Sequence, residues 1–141
     1  MLFGDAIGAR TYVETRVLPR TASRRLASAI LSDVAPRCRV KRVIDVGCGT
    51  GRFVEAFACA PGEHSIVGAD ISEPMLKAVP QALTLARRAR LVNADCRRRA
   101  LFDESSAQVV VVHWVANTTP GWHDILSNAC RWADPRGAVV W

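Results

Sequence analysis

The residues with the most chemical content sit in three short stretches. The first is Asp45-Val46-Gly47-Cys48-Gly49-Thr50-Gly51. Glycines between a strand and a helix permit a tight turn and let the main chain approach a ligand closely, which a Cβ would prevent. The spacing is GxGxG, with an acid two positions before the first glycine. A dinucleotide fingerprint, GxGxxG, would need its third glycine where Arg52 stands. An acidic neighbour suits an ammonium or sulfonium group better than a pyrophosphate. In the second stretch, Gly68-Ala69-Asp70-Ile71-Ser72, Asp70 is placed to accept both hydroxyls of a ribose, or to cap the helix that opens near Ser72-Glu73-Pro74. The third, Asn93-Ala94-Asp95-Cys96, offers a carboxylate to an adenine amino group, or again a turn or cap. A fourth stretch, His113-Trp114-Val115-Ala116-Asn117, adds an imidazole that titrates near neutrality. His113 reads either as a general base or as a packed histidine bonded to backbone.

These stretches need rigid elements to bring them together. Compact β-branched runs predict strands at Val43–Val46, Ser65–Ala69, Arg90–Ala94, Gln108–His113 and Gly137–Trp141. Helical stretches are expected between them at Phe53–Ala60, Met75–Arg88 and Ile125–Ala133. Apolar strands alternating with helices imply a parallel sheet buried on both faces and joined by right-handed crossovers. The expected fold is α/β, a doubly wound Rossmann-like sheet of about five strands. In such sheets ligands bind beyond the carboxyl ends of the strands, where the candidate residues fall. Upstream, Ala9 to Ala35 has helical spacing interrupted at Pro19, which predicts two helices. The chain divides into an amino-terminal helical cap, residues 1–41, and a core, residues 42–141.

Composition limits the alternatives. With 141 residues, 50% hydrophobic and 23% charged, the chain is sized for one domain and too apolar for disorder. Val109 to Val112 is broken by His113, and no apolar run approaches a membrane span. The first residues lack the pattern of a secretory signal, so the cytoplasm is the expected location. Five cysteines, Cys38, Cys48, Cys59, Cys96 and Cys130, show no CxxC or zinc spacing, so no metal site is expected and the thiols read as reduced. The net charge of +6 rests on basic residues that are all arginine except Lys41 and Lys77. That excess serves a phosphate-rich or acidic partner or a solvated face, and Arg97-Arg98-Arg99 reads as a grip on an acidic acceptor or as a solvated face.

Taken in order, Val43 to Gly51, Gly68 to Ser72 with Met75-Leu76, and Asn93-Ala94-Asp95 resemble the class I S-adenosylmethionine-dependent methyltransferases. The resemblance implies S-adenosyl-L-methionine as cofactor. It places Asp45, Gly47, Cys48, Gly49 and Gly51 around the methionine and sulfonium, and Asp70 on the ribose hydroxyls. Ile71 and Met75 would pack the adenine face, Asp95 and the Cys96 backbone would meet its edge, and Tyr12 would close over the cofactor unless it is a core tyrosine. The fourth strand end is where such enzymes commonly face the acceptor. An Asn/Asp-Pro-Pro-aromatic signature of amino methyltransferases is absent there, which favours a small-molecule acceptor over nucleic acid.

The family usually adds further carboxyl-terminal strands, whereas this sequence stops inside the fifth. A bare edge invites another chain. All four tryptophans fall from Trp114 onward, which is compatible with an interface or with ordinary core. The expectation is a homo- or hetero-oligomer through the strand-five edge, with no membrane partner. Two classes remain: an active methyltransferase completed by association, or a cofactor-binding scaffold or activator subunit. A nicotinamide dehydrogenase is disfavoured by Arg52.

Overall fold

The structure, a computed structural model, describes residues 18–85, 87–115 and 119–141. Five strands, β1 (Arg42–Val46), β2 (Ser65–Asp70), β3 (Ala89–Asn93), β4 (Ala107–Val111) and β5 (Ala133–Val140), form one sheet in the order β3-β2-β1-β4-β5. Every neighbouring pair is parallel. The sequence order reverses between β1 and β4, so the crevice above β1 is the topological switch point, where ligands bind in open α/β sheets.

Both faces of the sheet are covered. On one, Val43 and Val109 pack with Ala27, Ile30 and Val34 of α1 (Arg20–Val34) and with Phe53, Val54 and Phe57 of α2 (Arg52–Cys59). On the other, Ile44, Val46 and Val110 pack against Ile125, Ala129 and the fully buried Trp132 of the last helix, Trp122–Trp132. Period-two alternation along β1 and β4 divides their side chains between these two clusters. Helix α1 opens directly after Pro19, whose carbonyl accepts the amides of Ala22 and Ser23. The more amino-terminal of the two expected helices lies outside the described residues.

The expected helix from Met75 to Arg88 is instead two short ones, α3 (Glu73–Lys77) and α4 (Gln81–Leu85). Pro80 separates them, because proline lacks the amide and restricts the residue before it. The last helix, α5, begins at Trp122 rather than Ile125, and β5 begins at Ala133 rather than Gly137. The segment Asp134-Pro135-Arg136, which falls between the expected helix and the expected strand, sits within β5, opposite a register shift between Ala107 and Val109. Gly137 makes this irregularity possible, since a Cβ there would lie 2.2 Å from the Gln108 carbonyl oxygen.

Candidate active site

The turn between β1 and α2 is wound through left-handed backbone at Gly47, Gly49 and Gly51, with φ of 65°, 54° and 77°. L-residues with a Cβ pay a steric penalty in that region. A Cβ on Gly47 would also lie 2.5 Å from Val115 Cγ2. The Cys48 amide donates to the Ala69 carbonyl at 3.1 Å, which ties the turn to β2. The Gly49 amide donates to Asp70 Oδ2 at 2.8 Å, and the Ser72 amide donates to Asp70 Oδ1 at 2.8 Å. Asp70 therefore braces the glycine turn from the end of the neighbouring strand. The helix cap itself is Ser72, whose hydroxyl accepts the Met75 amide. A carboxylate has about four acceptor positions, so these two bonds leave Asp70 capacity for hydroxyl donors.

At the end of β3, Asn93 Nδ2 donates to the carbonyls of Asp70 and Ile71 at 3.1 and 3.0 Å, joining two strand ends. Two residues on, Asp95 is gripped by Arg97. The Arg97 amide donates to Oδ1 at 2.9 Å, and its guanidinium reaches both oxygens through Nε (2.9 and 3.0 Å) and Oδ2 through Nη2 (2.6 Å). Arg97's hydrogen bonds hold the Asp95 carboxyl below the usual carboxylate range. The carboxylate expected to meet an adenine amino group is thus already engaged, and a ligand amine would share it with Arg97. Within the arginine run, Arg97 faces the site, while Arg99 pairs with Glu104 at 3.9 Å.

A cavity of about 420 Å³ opens above these loops. The segments after β1, β2 and β3 contribute Gly47, Gly49, Asp70, Ile71, Ser72, Met75 and Ala94 to Arg97 to its lining; the segment after β4 and the last helix contribute His113, Trp114, Val115, Thr119, Pro120 and Ile125. Its size falls in the usual range for small-molecule sites. Of the residues singled out in the sequence, Gly47, Gly49, Asp70, Ile71, Met75, Asp95, Cys96 and His113 meet around this one space. Asp45, Cys48 and Gly51 are buried behind it, and Tyr12 lies outside the described residues. Burial, reinforced by Asp45 and Asp70, pushes the Cys48 thiol far up, and burial pushes Cys96 up to about 12. Both are protonated thiols that pack rather than act as nucleophiles.

On the β4 side, His113 stands edge-on to Phe53, with ring centroids 5.0 Å apart, and 5.7 Å from Trp114. Trp114 has a φ of 64° and is 48% exposed. A bulky residue in left-handed backbone stores local strain, and such residues cluster at functional sites. Among the described residues, Ile71, 47% exposed, is the other large apolar side chain open at this cavity. Sequence reasoning did not single out Ser72, Val115, Thr119, Pro120 or Ile125. The short Asp-x-Arg spacing was the available signal for Arg97, and nothing local distinguished the others.

A family described as the methyltransferase domain matches residues 43–137, from the start of β1 into β5. The chain belongs to the methyltransferase domain family. It is 31% identical over 99 residues to a demethylmenaquinone methyltransferase of Shouchella clausii, covering 69% of this chain and 42% of that protein. It is 29% identical over 114 residues to a ubiquinone/menaquinone biosynthesis C-methyltransferase of Syntrophotalea carbinolica, covering 80% and 48%. The chain thus spans less than half the length of these curated relatives. Among solved structures, one from Methanococcus maripaludis assigned to the S-adenosyl-L-methionine-dependent methyltransferases superposes with a TM-score of 0.80 at 19% identity, covering 96% of this chain and 62% of that one. The CurJ carbon methyltransferase superposes with a TM-score of 0.74 at 16% identity, covering 96% and 38%. These structural likenesses establish the methyltransferase fold, and the family match covers every strand end that faces the cavity.

Proposed function

We propose that the chain binds S-adenosyl-L-methionine in the cavity above β1 and β2 and methylates a small, largely apolar acceptor on the β4 side. The observation that carries this reading is the convergence of the glycine turn, Asp70 and the β3 loop on one cavity, which Trp114, Val115, Pro120 and Ile125 also line. The cofactor fits the residues present. Gly47 and Gly49 offer close main-chain approach to its methionine part, Asp70 has acceptor capacity for ribose hydroxyls, and Ile71 and Met75 provide an apolar face for adenine. Asp95 and the Cys96 backbone meet the adenine edge. Asp45, Cys48 and Gly51 support the turn from behind.

Held there by the glycine turn, Asp70 and the Asp95 loop, the cofactor would supply an activated methyl group. The chain's own part is to position the acceptor in line and exclude water, which accounts for much of the rate in such transfers. His113, in the segment after β4, takes the acceptor's proton. Trp114 and Ile125 favour a planar, apolar acceptor. A reduced quinone ring with an ionisable hydroxyl has these properties, and the curated relatives are named for quinone methylation.

The outer edge of β5, the last strand in the sheet order, is the proposed contact for a second copy or partner chain, with the exposed Trp141 beside it. The cytosol is the proposed compartment, supported by five free thiols. Among the described residues no helix is long and apolar enough to cross a membrane. The direct test is transfer of labelled methyl from S-adenosylmethionine to hydroquinones and to hydrophilic amines, with wild type and His113→Ala. Label in the hydroquinones, reduced by at least about tenfold in the variant, is expected for a general base. Label in the amines alone would overturn the acceptor assignment, and equal rates would remove His113 from it.

A further inference from the structure

Helix α5 reaches the adenine end of the cavity through one buried amide. Asn128 is 6% exposed, and its Nδ2 donates to the Cys96 carbonyl at 3.1 Å and to the Arg97 carbonyl at 2.9 Å. Both hydrogens of the side-chain amide are thereby spent on consecutive carbonyls of the loop that carries Asp95 and Cys96. One turn earlier on the same helix, Ile125 lines the cavity. Further along, Trp132 Nε1 donates to the Arg99 carbonyl at 3.2 Å. On its other side, the loop is closed by the Arg97 amide on Asp95 Oδ1 and by the Arg98 amide on the Asp95 carbonyl at 3.0 Å. A short irregular loop has few ways to hold a fixed shape, and buried carbonyls left without donors are costly.

We propose that Asn128 is the positioning residue for adenine recognition: from α5 it fixes the backbone of the Asp95–Arg97 loop, and so sets the edge against which the purine amino group is read. Asn128 itself touches no cofactor atom; it acts through the Cys96 and Arg97 carbonyls. This inference rests on the proposed cofactor site and adds the element that gives that site its base selectivity. It also makes α5 a shared support, with Ile125 on the cavity wall and Asn128 behind the adenine loop.

The test uses calorimetric titration with S-adenosylhomocysteine and with its analogue lacking the purine 6-amino group. Wild type, Asn128→Ala, Asn128→Asp and Trp132→Phe are compared. Asn128→Asp keeps the side-chain shape but turns a donor into an acceptor, which covers the case in which the alanine variant does not fold. Trp132→Phe removes the other hydrogen bond that α5 makes here, to the Arg99 carbonyl beyond the Asp95–Arg97 loop, and controls for simple loss of stability. Wild type is expected to prefer the amino-bearing ligand by about tenfold, the worth of one hydrogen bond to a charged group. Both Asn128 variants are expected to bring that ratio close to one, while Trp132→Phe lowers the melting temperature and keeps the ratio. An unchanged ratio in a folded Asn128 variant, or no preference in wild type, would overturn the inference. Failure of wild type to bind either ligand would instead overturn the cofactor site on which it rests.

Discussion

Two strand-to-helix crossings frame the cavity, and they are built in opposite ways. The β1–α2 crossing turns through three left-handed glycines and is braced by backbone amides on Asp70 and by the Ala69 carbonyl. The β4–α5 crossing enters its helix through Gly121, also left-handed with a φ of 81°, but carries Trp114 in left-handed backbone on the way. In the first, the absence of side chains leaves the main chain of Gly47 and Gly49 open on the cavity. In the second, strain is accepted in order to hold a large side chain at the cavity mouth. The difference matches the division of labour we propose, in which one crossing serves a constant cofactor and the other a particular acceptor.

Substitution at the first crossing should have the largest effect. Gly47→Ala adds left-handed strain and a collision with Val115; together these should destabilise the fold by about 2–5 kcal/mol, read by chemical denaturation. Cofactor binding should fall with it. An unaffected midpoint would show that the turn relaxes freely and that its glycines are not structurally required. At the second crossing the contrast is expected. Trp114→Gly relieves strain while losing a half-exposed ring, so stability should change by no more than about 1 kcal/mol. Cofactor affinity should persist and acceptor KM should rise. Loss of cofactor binding in that variant would erase the distinction between the crossings.

The smallest effect concerns the Asp95–Arg97 pair. Arg97 lowers the Asp95 pKa, so the pair's contribution is present at neutral pH and disappears as pH falls through the folded-state value. In Arg97→Gln, Asp95 should titrate higher, nearer an ordinary aspartate, and the stability difference from wild type should vanish in acid. Both side chains are partly exposed, so the difference at neutral pH should be small. A carboxyl titration followed by NMR reads this directly; an Asp95 pKa unchanged in the variant would show that Arg97 does not hold it.

The contrast also explains what was legible in the sequence. The cofactor-side wall is specified by residues that lie close together in the chain and by backbone geometry, so Gly47, Gly49, Asp70 and Asp95 could be picked out at strand ends. The parallel, doubly wound character of the sheet followed from the alternation of apolar runs with helices. The acceptor-side wall depends on how α5 docks, and Ile125 or Asn128 carries no local mark of that. Pro80 was a visible breaker whose effect the apolar spacing of Met75 to Arg88 masked. Asp134-Pro135, left between the expected last helix and strand, joined β5 because the register shift and Gly137 accommodated it. The grip of Arg97 on Asp95 was hidden within a charge run that otherwise faces solvent.

The central claim is that Asp70 joins the glycine turn to the cofactor's ribose at a preformed site. Calorimetric titration of wild type and Asp70→Ala with S-adenosylhomocysteine tests it most directly. The account requires one-to-one binding by wild type and at least about a tenfold weaker affinity in the variant, because two backbone amides and the ribose hydroxyls lose a charged acceptor together. Equal affinities, or no binding by the folded wild type, would contradict it.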